Sequence, residues 1–466
     1  MTVIDYRNDT DSSFGVKIVE GGLWLSGGAF VVRLIGLATV VVILSTLSVR
    51  EYGIYKLVLA AFGFLASFFI GGFDPLIVND LARERGEGRF GRVKRLFVEY
   101  SSIKIVVGVA FFLLTFFGSS FVGRWYESEV IPFLRTISFL FLLVAFERPL
   151  NLLFNVNLKF RLMSLFTVVE EAAKLVLILI LVVWAKRGVE GLVIAYVAST
   201  AVALLIFMPY GLRMAYSLLK HQASKESVLW FLARAHGKWG IASRYVVEAQ
   251  KSVSPWLVQV FVGPEAVGLY SLAEGLYGQI TSLVPISNLL TPLIPRELGN
   301  KERVRNVLLY GIKYGTVAFG IIAVASFFVM PVLVQWAFPH YVPSMPLFRV
   351  MAIAFLTTAA AGVVNTILFA YREQKILFFL ILVRLLVLMV SSSLLLMWLG
   401  VIGMAIAFVL TAIFFVWIRY YSMKRAAPEI CVPLGEFFRF TKEDRRFIRT
   451  AWNVLLSRVS RLFIPR

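Results

Sequence analysis

The sequence predicts an all-α membrane protein of about twelve transmembrane helices, built as two parallel six-helix repeats. Three observations predict it. The chain of 466 residues is 59% hydrophobic and only 16% charged, whereas a soluble domain carries about 25% charged residues. Apolar runs recur along the whole length, each long enough to meet the roughly 20 residues that a helix needs to cross the hydrocarbon core. The two halves also align with each other at a nearly constant offset.

The runs predict spans at 23–47, 54–73, 103–122, 131–154, 165–184 and 189–209, and again at 239–262, 267–293, 314–337, 346–370, 376–399 and 401–421. They are continuous rather than alternating, which excludes a strand-built barrel. The first twenty residues hold Asp5, Asp9 and Asp11 and no apolar core, so the first span itself is expected to enter the membrane.

A net charge of +20 would suggest nucleic acid, but its distribution excludes that partner. The basic residues gather in every second loop, the pattern by which a membrane protein orients itself. Arg83, Arg85, Arg89, Arg92, Lys94 and Arg95 follow span two, and Arg213, Lys220, Lys225, Arg234 and Lys238 follow span six. Arg296, Lys301, Arg303 and Arg305 follow span eight, and the C-terminal tail is basic. The other loops are short and nearly uncharged, Lys186 and Arg187 being the main exceptions. Both termini are therefore expected in the cytoplasm. A lone cysteine, Cys431, excludes an internal disulfide, and three scattered histidines give no metal-ligand spacing. No metal or cofactor is expected.

Residues 24–55 align without gaps on 239–270, an offset of 215, placing Trp24 on Trp239, Gly53 on Gly268 and Tyr55 on Tyr270. PFLR at 132–135 matches PLFR at 346–349, Asn151 lies near the position of Asn365, and VEGLVIAYV (189–197) matches VIGMAIAFV (401–409). Four matches in register exceed chance similarity of apolar segments. With six spans per repeat, an even number, the halves insert with the same orientation. The expected organisation is an N-terminal lobe at 1–210, a polar cytoplasmic linker at 211–238, a C-terminal lobe at 239–421 and a basic tail at 422–466. In that tail Thr441 can cap a helix with Phe447, Ala451, Leu455, Val459 and Leu462 along one face. Arginines surround the rest, a pattern that suits an anionic membrane surface or docking on the protein's own loops.

LSVREYGIY (47–55), followed by a span and NDLARERGEG (79–88), resembles the N-terminal half of polysaccharide-biosynthesis, Wzx-like flippases. VGPEAVGLYSLAEGL (262–276) with PLIPREL (292–298) resembles the same family's second half. The superfamily also contains multidrug exporters and lipid II flippases. The resemblance covers roughly residues 15–420. It implies two lobes around a central cavity that opens alternately to each side. It also implies a substrate built on polyprenyl diphosphate carrying a short glycan, moved across the cytoplasmic membrane.

Ionisable residues inside spans are costly and face a cavity or one another. Arg33 lies ten residues into span one, and its ungapped repeat partner is Glu248 in span seven. Arg244, Glu248 and Lys251 share one helical face at i, i+4, i+7, and Ser271, Glu274, Gly278 and Thr281 form a polar stripe in span eight. These are the candidate substrate-binding residues: arginine gives planar two-point contact to phosphate oxygens. An internal ion-pair network between spans one and seven explains the same residues structurally. Asp74, Glu248 and Glu274 are candidates for gating or for coupling to a proton or sodium ion. Glu147, Arg148, Glu170, Glu171 and Lys174 are expected to pair within the first lobe. Arg135 and Arg349 are expected to snorkel, and Trp125, Tyr126, Trp336 and Tyr341 to sit in interfacial belts. Pro255, Pro285, Pro292 and Pro295 are candidate hinges.

Two other classes compete. A small-molecule or multidrug antiporter would share the fold, but several cavity arginines and lysines repel cationic drugs. A membrane enzyme would need acidic or metal-binding residues in a substantial outer loop. Nothing here resembles a Gly-rich phosphate loop or a zinc motif.

Overall fold

The computed structural model describes residues 11–70, 74–125, 129–222, 224, 238–291, 293–371 and 373–439. Among these residues every regular element is helical. In chain order they are α1 (Asp11–Thr46), α2 (Val49–Ile70), α3 (Asp74–Gly86), α4 (Phe90–Trp125), α5 (Val130–Val156), α6 (Phe160–Ile178) and α7 (Gly188–Leu219). There follow α8 (Lys238–Phe261), α9 (Pro264–Ser282), α10 (Ile286–Leu290), α11 (Leu293–Glu297) and α12 (Lys301–Ala337). The last are α13 (Met345–Ala352), α14 (Phe355–Ala370), α15 (Gln374–Leu399), α16 (Val401–Ala426) and α17 (Leu434–Phe438).

Eight described helices are long and apolar enough to cross a membrane, or nine when the bent pair Pro339–Ala352 and Phe355–Ala370 counts as one. The chain is a multi-pass membrane protein. Helix also occupies the remaining predicted spans, but each departs from a plain apolar rod. After α6 the backbone widens into a π-helical turn, Leu179–Trp184. α8 carries Arg244, Glu248 and Lys251. α9 stops at Ser282, short of the predicted 293, and two five-residue helices follow Pro285. Pro285 lacks the N–H that would continue the ladder, and its ring crowds the preceding turn. Pro255, by contrast, sits inside an unbroken α8.

Helix ends follow local chemistry. Between α1 and α2 the chain turns on a capping box: the Ser48 hydroxyl accepts from the Glu51 N–H (3.3 Å) and Glu51 Oε2 accepts from the Ser48 N–H (2.9 Å). α7 continues past the predicted lobe boundary to Leu219. There Lys94 Nζ donates to the carbonyls of Leu219 (2.6 Å) and His221 (2.8 Å), placing a cation on the negative end of the helix. Half of the predicted linker (223 and 225–237) and the predicted tail helix from Thr441 onward lie outside the described residues.

The chain divides into two units. The first comprises Met1–Leu283, Val324–Ala354 and Gln374–Phe415. Within it α4 packs on α5, α1 on α6, α2 on both α8 and α9, α5 on α7, and α8 on α15. Small residues permit the closest of these contacts, as expected where lipid gives no hydrophobic drive between helices. Gly28 of α1 lies against the Ser164 side chain of α6, and Ser164 Oγ donates to the Trp24 carbonyl at 2.8 Å. A buried apolar cluster of Ile77, Leu81, Leu96, Phe97, Leu152 and Leu218 ties α3, α4, α5 and α7 together. The second unit comprises Val284–Ala323, Phe355–Glu373 and Val416–Arg466. In it Gly315 of α12 sits against Ala359 of α14. The segment after α16 is held to α12 by Lys301–Glu429, by Arg305–Glu436 at 3.4 Å, and by Lys313 donating to the Arg439 carbonyl.

Large apolar side chains such as Phe30, Leu34, Phe117, Phe121, Ile321 and Phe328 are exposed, as lipid-facing surfaces require. Trp184, Trp336 and Trp398 are exposed at helix ends, in keeping with an interfacial belt. Tyr341 departs from its expected place in that belt. It is fully buried, donates to the Leu47 carbonyl at 3.0 Å, and meets the Tyr52 ring edge-on at 5.7 Å. Its phenol satisfies a carbonyl that the end of α1 leaves unpaired. Trp125 and Tyr126 have side chains outside the described residues.

Candidate functional site

A cavity of about 580 Å³ opens within the first unit, walled by α1, α3, α4, α5 and α6. A cavity of that size suits a small-molecule or headgroup ligand. Leu25, Gly28, Ala29 and Val32 of α1 supply an apolar wall, and Arg33 stands beside them. Arg148, Asn151 and Asn155 reach it from α5. Their i, i+3, i+7 spacing puts all three on one helical face.

The acidic group in this lining is Asp74, and it is already engaged. Lys104 Nζ lies 2.8 Å from Asp74 Oδ1, and Tyr100 Oη donates to the same oxygen at 3.0 Å. Lys104 is almost fully buried while the Asp74 side chain is 21% exposed toward the cavity, so the pair is partly shielded from water. Nearby Glu147 accepts from Asn151 Nδ2 at 3.2 Å. Among the described residues the buried Arg148 Nε has no hydrogen-bond partner, and buried polar atoms are nearly always satisfied. The cavity thus presents two guanidinium groups, Arg33 and Arg148, with Asp74 committed elsewhere. Such a wall can hold an anion with several acceptor oxygens.

Among the described residues, Glu248, Lys251 and Glu274 are not part of this lining, to which α8 and α9 contribute nothing. Glu248 and Lys251 pair with each other at 2.8 Å on an exposed face of α8, and the Arg244 side chain is outside the described residues. Glu274 on α9 accepts from Tyr270 Oη at 3.3 Å, and the Lys56 ammonium of α2 acts on it electrostatically. Arg33 and Asp74 therefore meet at one site, whereas Glu248, Lys251 and Glu274 do not join them there.

Of the charges expected to pair within the first lobe, Lys174 binds Glu171 at 2.6 Å and Glu170 accepts from Thr200 at 2.7 Å. Arg148, whose charge acts on the neighbouring Glu147, also faces the cavity, as do Tyr100 and Asn155. Sequence reasoning missed these, although the 148/151/155 stripe was visible as a helical face. Arg135 finds Ser119 and Ser120, and Arg349 lies 5.1 Å from the Phe327 ring.

Residues 18–297 match the family of polysaccharide biosynthesis proteins. The chain belongs to that family. No curated protein matches the chain. The fold of this family member is similar to the inward-facing conformation of a multidrug resistance MATE family transporter of the MOP superfamily. The TM-score is 0.70 at 15% identity, covering 85% of this chain and 95% of that one. It is also similar to the lipid II flippase MurJ in an inward closed conformation, with a TM-score of 0.59 at 14% identity over 93% and 92% of the two chains. A Vibrio cholerae MATE transporter, VcmN in its bent form, gives 0.51 at 14% identity over 87% and 99%. At these identities the likeness is one of fold, and this polysaccharide biosynthesis protein has the fold of the MOP superfamily.

Proposed function

We propose that this protein is a flippase that moves a polyprenyl-diphosphate-linked oligosaccharide across the cytoplasmic membrane by alternating access. One observation carries the reading: in a member of a polysaccharide biosynthesis family, the cavity offers Arg33 and Arg148 while Lys104 and Tyr100 occupy Asp74. A diphosphate would supply an acceptor for the buried Arg148 Nε and for Arg33 beside the same cavity, and Asn151 and Asn155 would supply amides for sugar hydroxyls. The similarity to a lipid II flippase fold supports the same reading.

The two six-helix lobes of the repeat would rock about this substrate. Basic loops put both termini in the cytoplasm. The cavity is lined by the middle of α1, where residues 25–33 fall in the first half of the predicted span 23–47, by the end of α5 and by the beginning of α6; in that orientation it lies in the cytoplasmic half, where such a substrate is made. A coupling proton or sodium ion would act at Asp74, which Lys104 holds at 2.8 Å, at Glu248, which Lys251 holds at 2.8 Å, or at Glu274.

The test is transfer of a fluorescent lipid-linked oligosaccharide in proteoliposomes, run beside uptake of an organic cation. Transfer of the glycan lipid without movement of the cation is expected. Cation movement coupled to an ion gradient, with the glycan lipid left in place, would make the protein a multidrug antiporter.

A further inference from the structure

At the repeat offset of 214, α6 falls on α15: the two helices begin at Phe160 and Gln374. Their first turns make matching contacts. The Arg161 guanidinium lies 4.9 Å from the Trp24 ring, and the Lys375 ammonium lies 6.0 Å from the Trp239 ring. Trp24 and Trp239 are themselves repeat partners, so α15 packs on α8 in the register in which α6 packs on α1. That register sets Arg384 on Glu170, Leu385 on Glu171 and Leu388 on Lys174. In the first repeat the polar groups satisfy one another: Lys174 binds Glu171 at 2.6 Å, and Glu170 accepts from Thr200 at 2.7 Å. At the same positions the second repeat keeps one cation and no carboxylate.

Arg384 lies ten residues into α15, about 15 Å from its start, so it is deep in the span. Among the described residues it forms no ion pair, and its buried Nε has no hydrogen-bond partner. Tyr277 of α9 is close enough to act on its charge, and the Tyr277 ring meets Phe408 of α16 edge-on at 5.2 Å. One turn along α16 from Phe408, the buried Thr411 hydroxyl also has no partner among the described residues. An unbalanced charge at this depth is costly, and buried donors are nearly always satisfied.

We infer that Arg384 binds a small monovalent anion, chloride in the cell, which supplies beside Tyr277 the negative charge that a carboxylate supplies in the first repeat. One guanidinium balances one negative charge. Leu385 and Leu388 replace the other charged groups of the first repeat, so a phosphate held here would stay unbalanced. Arg384 keeps partial exposure, which gives an ion a way in, and a guanidinium donor makes a charge-assisted contact to it. The site is distinct from the Arg33 and Arg148 cavity, to whose lining α15 contributes nothing among the described residues. It does not depend on what the protein transports.

The experiment measures binding of radioactive chloride to the full chain in lipid nanodiscs, with Arg33→Ala and Arg148→Ala removing the cavity's own cations. A single saturable class of chloride binding is expected in that background. Adding Arg384→Gln should weaken it at least tenfold, whereas Arg384→Lys, which keeps the charge, should retain most of it. No saturable binding before Arg384 is changed, or equal binding after Arg384→Gln, would overturn the inference. If Arg384→Gln fails to insert, crystals of the unaltered chain grown in bromide decide the matter. Anomalous density against the Arg384 guanidinium upholds the site, and bromide found only elsewhere, or nowhere, overturns it. Since the readout is binding rather than transport, a failure of the flippase reading would leave either result standing.

Discussion

Replacing Arg33 and Arg148 together by alanine is expected to abolish export of the lipid-linked glycan while leaving membrane insertion and expression unchanged. Both guanidinium groups line the cavity, and the buried Arg148 Nε has no hydrogen-bond partner among the described residues. A hydrogen bond to a charged group contributes roughly 1.5–3 kcal/mol, and about 1.4 kcal/mol is a factor of ten in occupancy. Each single alanine variant should therefore lose about tenfold or more in transfer rate at low substrate. Lysine at either position should restore part of the loss, because it keeps the charge but not the planar fork, and glutamine should restore little. Initial rates in proteoliposomes at matched protein content read this out. Normal transfer by the double alanine variant would show that the arginines only brace α1 and α5.

The second large effect is expected at Asp74 and Lys104, which meet at 2.8 Å beside those arginines. Lys104→Met leaves Asp74 with only the Tyr100 hydroxyl in a partly buried site, so the loss falls below the roughly 3–5 kcal/mol of a fully buried ion pair. It also frees the Asp74 carboxylate to bind Arg33 or Arg148 and occupy the anion site from within. The single variant should lower the melting temperature in detergent and reduce transfer at least as strongly as either single arginine variant. Removing the carboxylate as well, in Asp74→Asn with Lys104→Met, should recover much of both. A double variant as impaired as Lys104→Met alone would mean that the lysine acts by some route other than holding Asp74.

Those two pairs also mark the boundary of what the sequence reveals. The spans were legible because burial in lipid demands unbroken apolar runs, and Arg33 stood out because an arginine ten residues into such a run needs a reason. Arg148, Asn151 and Asn155 share a helical face, which spacing alone can show, yet nothing in spacing says which neighbour that face meets. Repeat arithmetic set Arg33 opposite Glu248; the helices instead set it beside Arg148, because the cavity forms among α1 and α3–α6, while Glu248 pairs with Lys251 on its own helix. Asp74 and Lys104 lie on different helices, and only the packing of α3 on α4 brings them together. The helical break after Ser282 followed from Pro285, whereas the π-helical turn at Leu179–Trp184 has no comparable residue signal. Tyr341 illustrates the same limit: a tyrosine near a span end suits a belt by position, but here its hydroxyl serves the Leu47 carbonyl.

The central claim is that the cavity recognises a diphosphate, and one comparison tests it most directly. The same short glycan is presented in proteoliposomes on a polyprenyl diphosphate and on an uncharged lipid of equal chain length, and transfer between leaflets is timed for each. Recognition through Arg33 and Arg148 predicts transfer of the diphosphate-linked form at least tenfold faster, with the difference lost in the double alanine variant. Equal rates for the two lipids in the unaltered protein would contradict the account.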